Sequence, residues 1–395
     1  MSHLPVPRPA RAGREGPPAA GGDGPTWAAG LLAALAEAAP GASAVALAVR
    51  RGPERTVLAQ GVTALWHGTA ARPDTRFEIG SLTKTFTALL LAEMVARGEV
   101  AYDDPITRFL PRSAGPRLRG SPITLVHLAT HTSGLPRLPA GLLRGAARAW
   151  FSNPYADYSA VALRRALAGT RPRAAPGTRV RYSNFGVGLL GELLAHAAHG
   201  PGGDYARLLS DRVLAPLGLT HTSCDTRQPQ ATGYWHGRPC PAWRMPAMPG
   251  AGAARSSAHD LLLVLDALID PATTPPGTPR TLRTALADVT EPRIALPRSG
   301  RRIALIWNIR PQLGHDLYHH SGATRGFTTF AGFSPRTHCA LTALSNTGPA
   351  LSSPFVQQAY VALWTLAQEK PLTENSWPVP LSPPRRSRSG RRGPS

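Results

Sequence analysis

Gly80-Ser-Leu-Thr-Lys-Thr-Phe-Thr-Ala-Leu-Leu-Leu-Ala-Glu-Met-Val-Ala-Arg-Gly98 is the stretch that decides how this chain is read. Phe86, Leu89, Leu90 and Met94 recur at three and four residues, the period of an amphipathic helix, and Gly98 supplies the stop. Ser81 falls in the first turn, among backbone N–H groups that no helical carbonyl satisfies and at the positive end of the helix dipole. Lys84 lies three residues on, hence on the same face and within reach of the serine oxygen. A serine hydroxyl attacks only when a neighbouring base takes its proton, and a desolvated lysine can be that base. The same spacing also fits a capping serine beside a solvated lysine. Composition favours the first reading. Of 44 basic residues only Lys84 and Lys370 are lysines, leaving 42 arginines. Arginine stays protonated at any working pH, so a lysine kept at this place fits a need for a titratable amine, the alternative being that one of the two lysines fell there by chance.

The remaining composition bounds the rest. A chain of 395 residues with 42% hydrophobic content can bury a large core. Residues 1–25 and 376–395 are rich in Pro, Gly, Arg and Ser without apolar periodicity, and are expected to be a disordered leader and a disordered tail. No basic start followed by an apolar core is visible and no apolar run reaches membrane-spanning length, so a cytoplasmic protein is expected. Cys224, Cys240 and Cys339 are too few and too scattered for a disulfide framework or a metal site, and no cofactor is expected. The net charge of +21 is spread along the chain except for the cluster Arg385–Arg392. With no zinc-finger spacing, RNA-binding aromatic signature or basic zipper, no specific nucleic-acid partner is expected.

Outward from the central helix, Ser43–Arg50 and Arg55–Thr63 read as strands joined at Gly52-Pro53, and Arg302–Arg310, Phe327–Ser334 and Ala340–Ser345 as further strands. Leu31–Ala39 and Phe355–Gln368 read as amphipathic helices. Between 106 and 299 the chain turns to helical segments and Pro/Gly-rich loops. An α+β architecture follows: a sheet from 26–105 and 300–370 together, with a helical insertion at 106–299.

Two more stretches bear on chemistry. Tyr182-Ser-Asn184 follows a turn and precedes an apolar helix. A loop-held tyrosine can pass a proton between lysine, nucleophile and leaving group, and an asparagine amide can hold a carbonyl or the lysine, although a plain helix cap would read the same. His319-His320-Ser321-Gly322-Ala323-Thr324-Arg325-Gly326 lies between two strands. Its glycine permits close backbone approach to a substrate and its N–H groups can face an oxyanion, or the stretch is a hairpin with solvated histidines. No Gly-x-Ser-x-Gly elbow occurs, which removes the α/β-hydrolase reading.

In this order the three stretches resemble the serine β-lactamase and penicillin-binding-protein superfamily, in its class C-like and esterase-like branch. His131-Thr-Ser-Gly-Leu-Pro136, Pro216-Leu-Gly-Leu-Thr and Arg255-Ser-Ser-Ala-His-Asp260 look like further blocks of that family, and the resemblance covers about residues 27–368. It implies a β-lactamase/transpeptidase-like fold, an antiparallel sheet flanked by helices. By position it makes Ser81 the acylated nucleophile, Lys84 its base and Tyr182 the proton shuttle. Asn184 becomes a substrate and lysine contact, and the N–H groups of Ser81 and Ala323 the oxyanion hole. One departure stands out. His320-Ser321-Gly322 occupies the place where β-lactamases and peptidases carry Lys-Thr/Ser-Gly, and neutral histidine attracts a carboxylate less than lysine does. The expected activity is therefore hydrolysis of a small-molecule ester or amide, with acyl transfer in small-molecule biosynthesis as the alternative. A catalytically silent binding protein is the reading from another class; Ser81, Lys84 and Tyr182 together argue against it. Whether Arg137, Arg255 or Arg325 meets an acidic substrate is left open, as is the oligomeric state.

Overall fold

The computed structural model describes residues 24–377, apart from 112–114, 117–119, 143–151, 313, 351–352 and 369. The expected leader and Arg-rich tail lie almost wholly outside the described residues. Helix α1 (Thr26–Glu37) leads into the hairpin β1 (Ala44–Arg51) and β2 (Glu54–Gly61), which turns at Gly52 with φ +58°. A short β3 (Phe77–Glu78) precedes α2 (Thr83–Ala96). Then come α3 (Leu125–Ala129), α4 (Ala160–Gly169), α5 (Asn184–His199) and α6 (Tyr205–Leu209). Two-residue strands β4 (Tyr234–Trp235), β5 (Arg238–Pro239) and β6 (Arg255–Ser256) follow, then α7 (Ala258–Ile269) and α8 (Arg280–Asp288). The chain closes with β7 (Ile294–Leu296), β8 (Arg301–Ile303), β9 (Asn308–Gln312), β10 (His315–Ala323), β11 (Thr328–Ser334), β12 (Cys339–Ser345) and α9 (Phe355–Leu366).

Eight strands form one antiparallel sheet in the order β2-β1-β12-β11-β10-β9-β8-β7, so both ends of the sequence meet at the β1–β12 pair. The α+β architecture is thus realised. β1 reads Ala-Val-Ala-Leu-Ala-Val because both of its faces are covered. Val45, Leu47 and Val49 join α1 and α9 in one core, while Ala44, Ala46 and Ala48 join the larger core on the opposite face. Helix α7 packs on that second face, although it and β7 both fall within 106–299.

Three expectations change in detail. The helix after Ser81 is buried on all sides from Thr83 to Met94, because α5, α6 and α8 and the turns at 210–214 and 249–251 surround it. The span Arg302–Arg310 is two strands, not one. Ala304–Trp307 leaves the sheet between them, with Ile306 at φ +69° donating its N–H to Ala129 O (2.9 Å). And His315–Ala323 is itself a strand, paired with β9 and β11; its run of polar residues conceals a register in which Leu317, Tyr318, His320 and Gly322 are buried.

Candidate active site

Ser81 sits in a 3-10 turn, Gly80–Leu82, which delivers the chain from β3 into α2. Gly80 makes this turn at φ +50°; a Cβ there would lie 2.7 Å from Ala323 N. From the other side, a Cβ on Gly322 would lie 2.0 Å from Ile79 O and 3.0 Å from Leu82 N. Only glycine lets β10 lie directly against the turn that carries Ser81, and that contact sets the Ala323 backbone beside the serine.

Lys84 Nζ lies 2.8 Å from Ser81 Oγ and donates to Ala251 O at 2.6 Å. Its side chain is wholly buried, and burial pushes its pKa below the ordinary lysine value; Tyr182 opposes that shift and the charge of Arg137 adds to it. Tyr182 Oη lies 2.6 Å from the same Ser81 oxygen. The sequence places these three residues up to 101 positions apart, and the fold joins them at one atom.

Tyr182 is aimed by the His131–Arg137 loop. Arg181 N donates to His131 O (2.8 Å), Ser183 N to His131 Nδ1 (3.3 Å), Ser183 Oγ to Pro136 O (2.7 Å) and Asn184 N to Arg137 O (3.0 Å). The His131 ring lies against the tyrosine ring, with centroids 4.6 Å apart, and the His320 ring lies at 6.4 Å. Asn184 lines the cleft, but its amide donates to Tyr155 Oη (3.0 Å) and, among the described residues, it makes no hydrogen bond to Lys84.

His320 is buried on β10, and burial with the nearby Lys84 pulls its pKa down to about 3. His319 falls to about 4, and His131 is also held low, chiefly by burial. All three are neutral at pH 7. An unfolded chain regains the ordinary value of 6.5, so it binds more protons than the fold as pH falls from 6.5 towards 3. Their contribution to stability is complete above pH 6.5 and is lost on acidification. The urea midpoint is expected to drop steadily below pH 6.5, and less steeply in His320→Asn. A midpoint that stays flat down to pH 4.5 would contradict buried, neutral histidines.

Sequence reading passed over the frame behind the lysine. Glu78 and Arg255 are both buried and approach to 3.5 Å. Arg255 also donates to Ala253 O (2.6 Å), to Gln230 Oε1 (2.9 Å) and to Trp243 O. Glu78 receives Trp243 N (2.6 Å), Gln230 Nε2 (3.1 Å) and Thr324 Oγ1 (2.7 Å). This network ties β10's end to the loop whose Ala251 carbonyl holds Lys84. The family-like block at Arg255 was the sequence signal for it. Arg255 therefore serves the frame, whereas Arg137 and Arg325 line the cleft.

The cleft above Ser81 holds about 700 Å³ and is walled by Tyr155, Tyr182, Trp235 and Trp243. A cavity of about 800 Å³ lies elsewhere, between Phe109, Leu193 and Tyr205, and Ser81 is not in its wall. Its Cys224 thiol is pushed up to about 12 by burial, which leaves it inert. Ser81 and Tyr182 both line the smaller cleft. Among the described residues no cluster of His, Cys, Asp or Glu could hold a metal ion, and no helix is long and apolar enough to cross a membrane.

The fold has a structural counterpart in a class C beta lactamase from Rhodobacter sphaeroides, with a TM-score of 0.70 and 24% identity over 86% of this chain and 98% of that one. Its likeness defines the class: a β-lactamase-like α+β fold. The Beta-lactamase family model matches residues 29–363, and the chain belongs to that family. Among curated relatives, D-alanyl-D-alanine-carboxypeptidase/endopeptidase AmpH of Escherichia coli is 36% identical over 46% of this chain and 46% of its own length. Esterase EstB of Burkholderia gladioli is 34% identical over 53% and 56%, and the human putative beta-lactamase-like 1 is 30% identical over 78% and 61%. The matches thus span about half the length of the first of these relatives.

Proposed function

We propose that the chain is a serine hydrolase that opens an ester or amide of a small molecule through an acyl-Ser81 intermediate. One observation carries the reading: Ser81 Oγ has a buried lysine amine at 2.8 Å and a tyrosine hydroxyl at 2.6 Å. With Lys84 unprotonated, its amine takes the serine proton as Oγ attacks the carbonyl carbon. The backbone N–H groups of Ser81 and Ala323, brought together by Gly80 and Gly322, receive the oxyanion. Tyr182 relays the proton from Lys84 to the leaving group, and the same pair then activates water to release the acid. The hydrolase names of the esterase and carboxypeptidase relatives support the class of reaction. Neutral His320 supports esters over substrates that need a cation at that position.

The test is intact-protein mass spectrometry after mixing with a p-nitrophenyl ester. A mass increase of one acyl group that is absent in Ser81→Ala is the expected result; no adduct and no phenol burst would overturn the proposal. Release of amide rather than free acid on adding an amine would assign acyl transfer instead. Tyr182→Phe is expected to slow the steady state by about 10²–10⁴-fold, a usual general acid–base factor, with little change in thermal unfolding. A loss explained entirely by lowered stability would remove the shuttle role.

A further inference from the structure

The charges around the cleft are one-sided. Its lining holds two guanidinium groups, Arg137 and Arg325, and no aspartate or glutamate among the described residues. The lining histidines, His319 and His320, are neutral. The two arginines come from different segments and lie over different rings. Arg137 follows the His131–Pro136 loop, and its guanidinium lies 5.3 Å over the ring of Tyr182, one aromatic ring from the nucleophile. Arg325 follows β10 and lies 4.6 Å over the ring of Trp235.

An arginine-rich chain puts many arginines on its surface, so placement has to be separated from abundance. Several arginines elsewhere meet carboxylates: Arg50 and Arg55 meet Asp266, Arg164 meets Glu192, and Arg302 meets Asp316, while buried Arg76 donates to His221 O and Ser223 Oγ. Arg137 is exposed and forms no ion pair with a described carboxylate. It also costs something where it is. Its charge adds to the depression of the Lys84 pKa and raises the local positive potential. A carboxylate entering the cleft would neutralise it and find a planar donor fork.

We propose that the substrate carries an anionic group, with a carboxylate as the matching chemistry, bound by Arg137 on the tyrosine side of the cleft and drawn in by the field of Arg325. This rests on the acyl-Ser81 reading and adds the substrate class. The neutral His320 position is not its anchor. The anion is recognised by the segment after the His131–Pro136 loop, not by the third motif on β10.

The test uses two p-nitrophenyl esters of matched length, the mono-ester of glutaric acid and its neutral methyl ester. In the wild-type protein the carboxylate ester is expected to be favoured in kcat/KM by about 10–100-fold, the range of one charge-assisted hydrogen bond at a partly open site. That ratio is expected to shrink towards one in Arg137→Gln, to recover in part in Arg137→Lys, and to fall with added NaCl. A general structural defect would lower both esters and leave the ratio alone. Equal kcat/KM for the two esters in a protein that acylates would overturn the anion site and leave the acyl-enzyme intact. Binding of monomethyl glutarate to Ser81→Ala, and its weakening by Arg137→Gln in that background, is read separately. If no ester acylates Ser81 but this binding is seen, the anion site stands and the hydrolase reading falls. If binding is absent or unaffected by Arg137→Gln, the anion site falls.

Discussion

Lys84→Arg is expected to lower the rate of Ser81 acylation by at least about 10²–10⁴-fold in a protein that still folds. Arginine keeps the positive charge and the hydrogen-bonding capacity but cannot give up a proton at working pH. The native lysine is wholly buried and its pKa is pushed down by that burial, with only Tyr182 opposing. A group whose pKa is lowered gains its unprotonated form at lower pH. Acylation should thus rise with pH along a limb lying below the ordinary lysine value of 10.5, and Lys84→Arg should lose that limb. Pre-steady-state release of p-nitrophenol measures this directly. A folded Lys84→Arg protein within tenfold of wild type would exclude Lys84 as the base, and Ser81→Ala would then show whether another residue is acylated.

Arg255→Met is expected to cost about 3–5 kcal/mol of stability, the usual penalty for stripping one partner from a buried charge pair. Glu78 would keep its bonds from Trp243 N, Gln230 and Thr324 but lose the compensating charge. The carbonyls of Ala253 and Trp243 would lose their donor, and the loop presenting Ala251 O to Lys84 would loosen. Acylation should therefore slow even where the variant remains folded. Glu78→Gln combined with Arg255→Met is expected to recover part of the stability, because no unpaired charge remains. Urea unfolding of the single and double variants decides the matter. A single variant within 1 kcal/mol of wild type would show that the pair is not the frame of the site.

The Ser81–Lys84 pair and the strands at both ends of the chain were legible from residue order, and the Tyr182 segment through its resemblance to a family block. Each is local: a three-residue helical spacing, an apolar run, a turn before a helix. The scarcity of lysine added the chemical reason to single out Lys84. The strand His315–Ala323 was not legible, because its residues are largely polar and its pairing comes from β9 and β11.

By itself, then, the order of residues determined the α+β class, the family-like blocks and the identity of the three groups that meet at the serine oxygen. Tertiary structure alone decided that Lys84 is buried with a carbonyl 167 positions away as its second partner. It also turned Arg255 inward to Glu78 and left Arg137 at the cleft. Asn184 was likewise drawn to Tyr155 by a contact that spans 29 positions. The reason is physical. Burial, charge pairing and the pKa shifts that follow depend on which groups surround a side chain, and those neighbours come from segments far apart in the chain.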